Sequence, residues 1–365
     1  MTEEADVPRL ELTVDENDVV RGATEVLKVI RPHWVSDSVR FKLFTDGITN
    51  KLVGCFNQNN NANCDGDDDD SNSATAASSD VVLVRVYGNK TDLLIDRKKE
   101  TENIRLLHRH GYAPALYATF RNGLAYEFVP GVTLTPDTVR DERTWPLVAR
   151  RMAQMHKVTD GPDGSREPML RGKMDQFLKL LPAVFSDPVK HARISTVLPS
   201  VAELRRDFDD LYGKLQQLGS PSVFCHNDLL LGNVIYNAER GQVTFIDYEY
   251  ACFNHQAFDI GNHFTEFAGI DEIDYGRYPE REFQLRWLRV YLEEFTGGPC
   301  SDSDVERLYV QVNQFALSAH FLWTIWALIQ AEHSTIDFDF IQFGQNRYEE
   351  YRRRRNEFLA LTYTN

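Results

Sequence analysis

The stretch VFCHNDLLLGNVIYNAERGQVTFIDYEY, residues 223–250, decides the fold of this 365-residue chain. It contains the pattern His-x-Asp-x-x-x-x-Asn at His226, Asp228 and Asn233, and Asp247 closes the next apolar run. The apolar runs that flank these polar residues are typical of short strands. The stretch therefore predicts a β island with its polar side chains at the ends of the strands.

The order of these polar residues matches a kinase catalytic loop followed by a metal-binding aspartate. Phosphoryl transfer has a loose transition state, so a protein mainly positions the reactants and neutralises charge on the phosphate oxygens. Asp228 is predicted to align the acceptor alcohol, and a hairpin would bring Asn233 near Asp247 to bind Mg²⁺ through oxygen ligands. Taken one by one, the same residues could be a polar turn and a strand-end cap.

The sequence on either side of the island divides into a strand-rich first third and a helical remainder. Strand-like runs occupy RFKLF, NKLVGCF, VVLVRVYG, ALYATF and LAYEFV, with helical spacing at residues 15–30 and 96–111. Residues 145–155, 201–218 and 305–330 have helical spacing as well. The pattern predicts an α+β fold with an N-terminal lobe at 1–130, a boundary at Pro130-Gly131 and a mainly helical C-terminal lobe at 131–365.

Residues 57–80 interrupt this pattern with a polar, acidic segment, NQNNNANCDGDDDDSNSATAASSD. It has almost nothing to bury, so we predict a disordered insert between two strands that can be deleted.

Composition excludes several classes of protein. The formal net charge of −15 disfavours nucleic acid as a partner and is compatible with a cationic ligand. Five cysteines without CxxC spacing indicate neither a disulfide framework nor a zinc site. The acidic N-terminus is unlike a signal peptide, and the apolar run at residues 321–329 is shorter than the about 20 residues that span a bilayer. We expect a cytoplasmic protein without stable membrane insertion, and the sequence leaves a homodimer open.

The segments HNDLLLGN and IDYEYACFNHQAFDIGNHFTEF, with KLFTDGITNKL and VLVRVYG upstream, resemble the choline/ethanolamine kinase family. The resemblance extends over nearly the whole chain outside residues 57–80. It implies a two-lobed protein-kinase-like fold and transfer of phosphate from ATP, with Mg²⁺, to the hydroxyl of a small amino alcohol.

The resemblance also implies residues that bind the nucleotide. The turn at residues 45–50 would cover the phosphates, an arginine would take the place of the protein-kinase lysine and pair with a glutamate on the next helix, and the hinge would bind adenine. The residues implied are Asp46, Gly47, Thr49, Asn50, Arg85, Glu100, Glu127 and Val129. A plain hairpin turn and an exposed strand arginine are the alternatives.

A second set is implied for the amino alcohol, whose cation calls for carboxylates and aromatic faces. Its members are Glu249, Tyr250, Glu266, Trp323 and Trp326, with His226 and Asp259 supporting the catalytic loop. Ordinary core packing is the alternative for the tryptophans, and a helix cap the alternative for Glu266 and Asp259.

Three positions depart from the choline-type pattern of the family. Leu230 stands in place of a glutamine, Phe343 in place of a pocket tyrosine, and Asp271 where an aromatic residue is expected. Because a quaternary ammonium favours an aromatic cage and a primary ammonium rewards carboxylates, these departures favour ethanolamine over choline. An aminoglycoside phosphotransferase and a nucleotide-binding pseudokinase scaffold remain as rivals. The intact Asp228, Asn233 and Asp247 disfavour the scaffold.

Overall fold

A computed structural model of the chain describes residues 7–44, 50–58, 81–88, 94–161 and 164–363. The chain divides into two compact units. The first consists of Met1–Leu93 and Ile104–Val132, and the second of Leu94–Asn103 and Thr133–Asn365. The predicted assignment of nucleotide binding to residues 1–130 stays a prediction.

The first unit is built on a six-stranded sheet. Its elements are β1 Arg9–Leu10, α1 Val19–Ile30, β2 Val39–Phe44, β3 Asn50–Asn57, β4 Val81–Tyr87, β5 Leu116–Phe120 and β6 Gly123–Glu127. The order of the strands in the sheet is β1-β5-β6-β4-β3-β2. All neighbouring strands are antiparallel except β1 and β5. The buried face of α1, with Ala23 and Val26, belongs to the same core as Val53 and Val84 of the sheet.

Local sequence explains the connections in this unit. The predicted hairpin at Arg121-Asn122-Gly123 is present, since Phe120 pairs with Gly123 across the turn. A Cβ atom at Gly123 would lie 2.2 Å from the carbonyl oxygen of Arg85, so the close approach of the two backbones requires glycine. The turn at residues 45–49, which was predicted to cover the phosphates, lies outside the described residues.

The boundary predicted for the acidic insert was wrong at its first residue. Asn57 is the last residue of β3, pairs with Val39 and is buried. It is drawn into the strand because its backbone continues the β2–β3 ladder, whatever its polar side chain favours. Gln58 follows β3 and is exposed, and residues 59–80 of the predicted insert lie outside the described residues.

Helix α2, Arg97–Arg109, begins in the second unit and ends in the first. The predicted stop at Gly111 is present, with φ at +75°. The remaining helices belong to the second unit: α3 Trp145–His156, α4 Met169–Leu180, α5 Pro188–Val197, α6 Val201–Leu215, α7 Gln256–Thr265, α8 Arg281–Thr296, α9 Asp302–His333 and α10 Phe340–Leu359.

Helix α9 is the centre of the second unit and packs against α4, α6, α7, α8 and α10. A Cβ atom at Gly261 of α7 would lie 2.7 Å from the carbonyl oxygen of Val312, so α7 and α9 pack backbone to backbone at that point. The apolar run at residues 321–329 is part of this longer helix. Among the described residues α9 alone is long and apolar enough to cross a membrane, and its most apolar window is completely buried within the protein.

The predicted β island is present in the second unit and is longer than expected. It consists of β8 Ser222–Cys225, β9 Val234–Asn237, β10 Gln242–Phe245 and β11 Cys252–His255. β9 pairs with β10, and β8 pairs with β11, both antiparallel. The short strand β7, Val132–Thr133, precedes Leu134, whose N–H donates to the carbonyl of Val234. The prediction ended at Tyr250 and missed β11, because the polar residues Asn254 and His255 interrupt the apolar pattern by which a strand is predicted.

Candidate active site

The nested pairing of the island brings two loops side by side. The catalytic loop, residues 226–233, runs from β8 to β9, and the acidic loop, residues 246–251, runs from β10 to β11. Because Val234 pairs with Phe245, the residues just outside the hairpin are neighbours, and the N–H of Ile246 donates to the carbonyl of Asn233 at 3.0 Å. The hairpin therefore brings the ends of the loops that carry Asn233 and Asp247 together.

His226 connects the two loops through both nitrogens of its buried ring. Nε2 donates to the carbonyl of Ile246 at 2.9 Å, and Nδ1 accepts from the backbone N–H of Asp228 at 3.3 Å. Burial lowers the pKa of His226, which keeps the imidazole in the neutral form that this donor and acceptor arrangement needs. The histidine thus fixes Asp228 relative to the acidic loop.

Asp259, on α7, binds the backbone at the start of the catalytic loop. Its Oδ2 accepts from the N–H of His226 at 2.9 Å and its Oδ1 from the N–H of Asn227 at 2.6 Å. Nε2 of His156, on α3, lies 2.9 Å from the same Oδ2. Burial alone would raise the pKa of Asp259, but the hydrogen bonds from His156 and from the backbone N–H of His226 hold it below its ordinary value. These contacts fit the supporting role predicted for Asp259.

Among the described residues, two that are not glycine have positive φ angles, and both lie in these loops. They are Asn227, with φ of 68°, and Asp247, with φ of 66°. Such a conformation is unfavourable for a residue with a side chain and persists where surrounding contacts enforce it. The amide of Asn227 donates to the carbonyl of Tyr250 at 3.0 Å and accepts from Asn254 at 2.8 Å, which supplies that enforcement.

The carboxyl group of Asp228 lies in a negative electrostatic environment. Burial, followed by the charges of Asp247, Glu266 and Glu249, raises the pKa of Asp228 well above its ordinary value, while Arg347 opposes the shift. A site with so much negative charge around one carboxyl group is suited to cationic ligands. Their binding would lower the pKa of Asp228 again.

The residues predicted to bind metal lie among further oxygen ligands. The side-chain N–H of Asn233 donates to the carbonyl of Asp228 at 2.9 Å, which leaves its amide oxygen as the atom able to bind a cation. Carboxylate oxygens of Glu100, Asp247 and Glu249 all lie within 4.8 Å of one another. Hard oxygen donors gathered this closely fit a divalent cation such as Mg²⁺.

Arg97 forms ion pairs with two members of this carboxylate group. Its Nη1 lies 3.0 Å from Glu100 Oε2 and 3.1 Å from Glu249 Oε2. Glu249 was predicted to bind the substrate, and this position makes it equally a candidate cation ligand. Its role in substrate binding stays a prediction.

The predicted aromatic residues are in one cluster. The Tyr250 and Trp323 ring centroids are 5.5 Å apart, those of Trp323 and Trp326 5.7 Å apart, and the Trp326 indole N–H donates to the Tyr250 hydroxyl at 2.9 Å. Phe343 lies 6.3 Å from Trp326, so this departure from the choline-type pattern is part of the cluster. Leu230 is partly exposed in the catalytic loop, and Asp271 is exposed.

Glu266, predicted to face the ammonium, follows α7 and is buried. It forms an ion pair of 2.7 Å with Arg347 of α10. The Arg347 guanidinium lies 5.1 Å from the Phe343 ring centroid, which places the ion pair beside the aromatic cluster.

The predicted nucleotide-binding residues of the first unit lie in its sheet. Asn50 begins β3, Arg85 is buried in the middle of β4, and Glu127 ends β6, where its carboxylate accepts from the N–H of Ala115 at 3.1 Å. Val129 follows two residues later. Asp46, Gly47 and Thr49 lie outside the described residues.

The predicted ion pair between Arg85 and Glu100 stays a prediction, because these residues belong to different units. Within the second unit Glu100 is buried in the first turn of α2 and contacts Arg97. The other nucleotide contacts implied by the family resemblance likewise stay predictions.

Four residues of the site were not predicted from the sequence: Arg97, His156, Asn227 and Arg347. Asn227 stands inside the His-x-Asp motif, where an Asn is a signal for a positive φ angle. His156 and Arg347 lie on helices far along the chain from their partners, and Arg97 contacts the distant Glu249 as well as the nearby Glu100. No local pattern distinguishes these three residues from exposed polar residues.

Comparisons with known proteins agree with this geometry. The family model described as "Choline/ethanolamine kinase" matches residues 41–352. The chain is 50% identical to an ethanolamine kinase from Drosophila melanogaster, with 98% of this chain and 82% of that protein covered. It is 44% identical to human ethanolamine kinase 1, with 98% and 77% covered.

Solved structures agree as well. A Plasmodium vivax ethanolamine kinase has a TM-score of 0.77 at 25% identity, with 92% of this chain and 89% of that chain covered. A choline kinase from Cryptosporidium parvum has a TM-score of 0.72 at 21% identity, with 94% and 98% covered. The predicted α+β, protein-kinase-like fold is confirmed. The chain belongs to the choline/ethanolamine kinase family.

Proposed function

We propose that this chain transfers the γ-phosphate of ATP to the hydroxyl of ethanolamine and so makes phosphoethanolamine, the first step of the CDP-ethanolamine route to phosphatidylethanolamine. The observation that carries the proposal is the arrangement of the two loops, in which His226 ties Asp228 to the loop that contains Asp247. The names of relatives that are 44% and 50% identical over 98% of the chain support ethanolamine as the acceptor.

In the proposed step Asp228 accepts a hydrogen bond from the ethanolamine hydroxyl, aligns the oxygen and takes its proton. The hydroxyl oxygen forms the new bond to the γ-phosphorus, the bond from that phosphorus to the bridging oxygen breaks, and ADP leaves. Although the pKa of Asp228 is raised in the ligand-free protein, the positive charge of a bound ammonium favours its ionised form. The acceptor would therefore help to ionise the group that aligns it.

Asn233 and Asp247 would hold Mg²⁺, and Glu249 and Glu100 offer further oxygens in the same group. When bound, the ion would neutralise charge on the phosphate oxygens. The positive φ of Asp247 and the backbone bond between Ile246 and Asn233 keep these side chains in place before the nucleotide binds. We propose that Asp46, Gly47, Thr49, Asn50, Arg85, Glu127 and Val129 contact ATP.

The ammonium of ethanolamine would lie against Tyr250, Trp323 and Trp326, with Glu266 as a carboxylate partner. Carboxylates beside aromatic faces are the chemistry that binds a small cation. The ion pair between Arg347 and Glu266 next to Phe343 supports this placement.

We also propose that the enzyme works in the cytoplasm without stable membrane insertion, and that a homodimer is compatible with its activity. The buried apolar window of α9 supports the absence of insertion. Among the described residues Cys55, Cys225 and Cys300 are free thiols, which agrees with a reducing compartment.

The decisive experiment is phosphorylation of ethanolamine, N-methylethanolamine, N,N-dimethylethanolamine and choline, measured side by side with ATP and Mg²⁺. We expect kcat/KM to fall with each added methyl group, by about tenfold or more over the series. Equal or better use of choline would favour choline kinase, and phosphorylation of none of the four would favour a scaffold. Asp228→Asn is the control, with an expected loss of about 10²–10⁴-fold in kcat while ATP still binds.

A further inference from the structure

The ion pair between Arg347 and Glu266 is buried on both sides, with side-chain exposure of 4% for each residue. Removing two charges from water costs more than their attraction commonly returns, so such a pair is weak evidence for a role in stability. An apolar pair of similar volume would pack the same space. A function near the site is therefore the better explanation of why the chain keeps these charges.

The contacts of Glu266 are concentrated on one of its two carboxylate oxygens. Arg347 Nη2 donates to Oε1 at 2.7 Å, and the Thr265 hydroxyl lies 3.3 Å from the same oxygen. Arg347 Nη1 also donates to the Thr265 hydroxyl at 3.3 Å. Among the described residues Oε2 accepts no hydrogen bond, so it is the oxygen left for a ligand.

The ion pair acts on the catalytic carboxyl and on the aromatic cluster. The charge of Glu266 raises the pKa of Asp228 and that of Arg347 lowers it, so both lie within electrostatic reach of the reacting group. On its other side the guanidinium contacts Phe343, which contacts Trp326. Arg347 thus links the carboxylate to the aromatic rings of the proposed ammonium site.

We propose that Arg347 is a positioning residue that determines specificity: it holds Glu266 by Oε1 and thereby presents Oε2 to an N–H of a primary ammonium. The inference rests on the proposed function and deepens it. A primary ammonium has three N–H donors and can use Oε2, whereas a quaternary ammonium has none. Arg347 would therefore favour ethanolamine over choline through a residue that touches neither substrate.

The other ionisable groups near the pair do not take over its role. Asp228 and Tyr275 are the further titratable groups that act on or respond to Glu266. Burial raises the pKa of Tyr275 to about 12, and burial and nearby arginines push the pKa of His320 well below its ordinary value. Both are neutral near pH 7, and Arg353 and Arg354 are paired with Glu350. Arg347 is therefore the cation that pairs with Glu266.

The test is to measure the KM for ethanolamine, for choline and for ATP in Arg347→Met. Without Arg347, Glu266 loses the contact that holds it by Oε1, so Oε2 is no longer presented to the ammonium. We expect the KM for ethanolamine to be raised about tenfold or more, with the KM for ATP within about twofold of the original. The preference for ethanolamine over choline should shrink.

Three further variants make the result interpretable. Glu266→Gln should also raise the KM for ethanolamine, because a neutral amide replaces the carboxylate that would accept from the ammonium. Arg347→Lys keeps the charge but cannot donate from two nitrogens to Thr265 and Glu266 at once, so an intermediate KM is expected. This variant replaces Arg347→Met in the test if Arg347→Met does not fold. Arg354→Met, on the same helix but paired with Glu350 and Glu357, is the matched control and should leave the KM unchanged.

Two results would overturn the inference. One is a KM for ethanolamine in folded Arg347→Met, or in Arg347→Lys if the first does not fold, within about twofold of the original. The other is an equal rise in the KM for ATP, which would indicate general damage. If the unmodified chain phosphorylates no ethanolamine, the proposed function itself fails, and that outcome is separate from either result.

Discussion

Nε2 of His156 lies 2.9 Å from Oδ2 of Asp259, the carboxylate that binds the backbone of the catalytic loop. The other ring nitrogen, Nδ1, lies 2.6 Å from the Tyr291 hydroxyl, which in turn accepts from the amide of Gln256 at 2.9 Å. A continuous set of buried hydrogen bonds therefore joins α8 and α3 to the start of the loop that carries Asp228.

His156→Asn should slow the reaction because Asp259 loses the donor that orients it. We expect kcat to fall by about tenfold to about a hundredfold with the KM for ATP little changed, since a partly released Asp259 leaves Asp228 less well positioned. Steady-state kinetics and a thermal melt on the same sample are the measurements. Gln154→Ala, on the same helix but bonded to Glu294, is the control. A folded variant with full kcat would contradict the positioning role.

Asp228→Asn should stabilise the ligand-free protein at neutral pH. The folded-state pKa of Asp228 is raised by burial and by neighbouring carboxylates, so its stabilising contribution is present at low pH and is lost as the pH rises through that pKa. Asparagine carries no charge at any pH. We therefore expect Tm to rise by about 2–4 °C at pH 8 and by less at pH 5.

Thermal melts in EDTA across this pH range measure the effect. Asp271→Asn removes an exposed carboxylate of the same unit and is the control, in which no pH-dependent gain is expected. A Tm difference for Asp228→Asn that stays constant with pH would show that the electrostatic account of Asp228 is wrong.

Asp247→Asn should raise the Mg²⁺ concentration needed for half-maximal activity by about tenfold or more, because a neutral amide replaces a carboxylate in the group of oxygen ligands. A titration of activity against Mg²⁺ at saturating ATP and ethanolamine tests it. Asp271→Asn again gives the matched control, as an aspartate outside the group. An unchanged titration would remove Asp247 from the proposed ligands.

The sequence predicted those parts of the fold and site that depend on neighbours along the chain. The β9–β10 hairpin follows from two apolar runs and a turn, and it fixes how close Asn233 and Asp247 can come. Strand β11 was missed because its partner β8 lies far earlier in the chain, so the strand gains its stability from tertiary pairing and carries no strong local signal.

The same reasoning explains which site residues were missed. Arg347 is 81 positions from Glu266, and His156 is 103 positions from Asp259. An arginine on a charged helix such as α10 has the pattern of a solvent-exposed face, and only packing against the rest of the unit shows that this one is buried. Contacts of this kind are set by the three-dimensional arrangement of helices that the local sequence does not determine.

Replacing residues 59–79 with a four-residue glycine-rich turn should leave the enzyme nearly unchanged. Phe56 pairs with Val81, so the adjoining ends of β3 and β4 are neighbours that a short hairpin connection can join. The removed segment is rich in Asn, Asp and Ser and has little apolar surface to bury. Shortening a connection changes the entropic cost of closing it only slightly.

We expect Tm within about 2 °C and kcat within about twofold of the original. A variant with residues 59–79 scrambled keeps length and composition and serves as the control. Loss of activity on deletion but not on scrambling would show that the length of the segment matters, and loss in both would show that its sequence does.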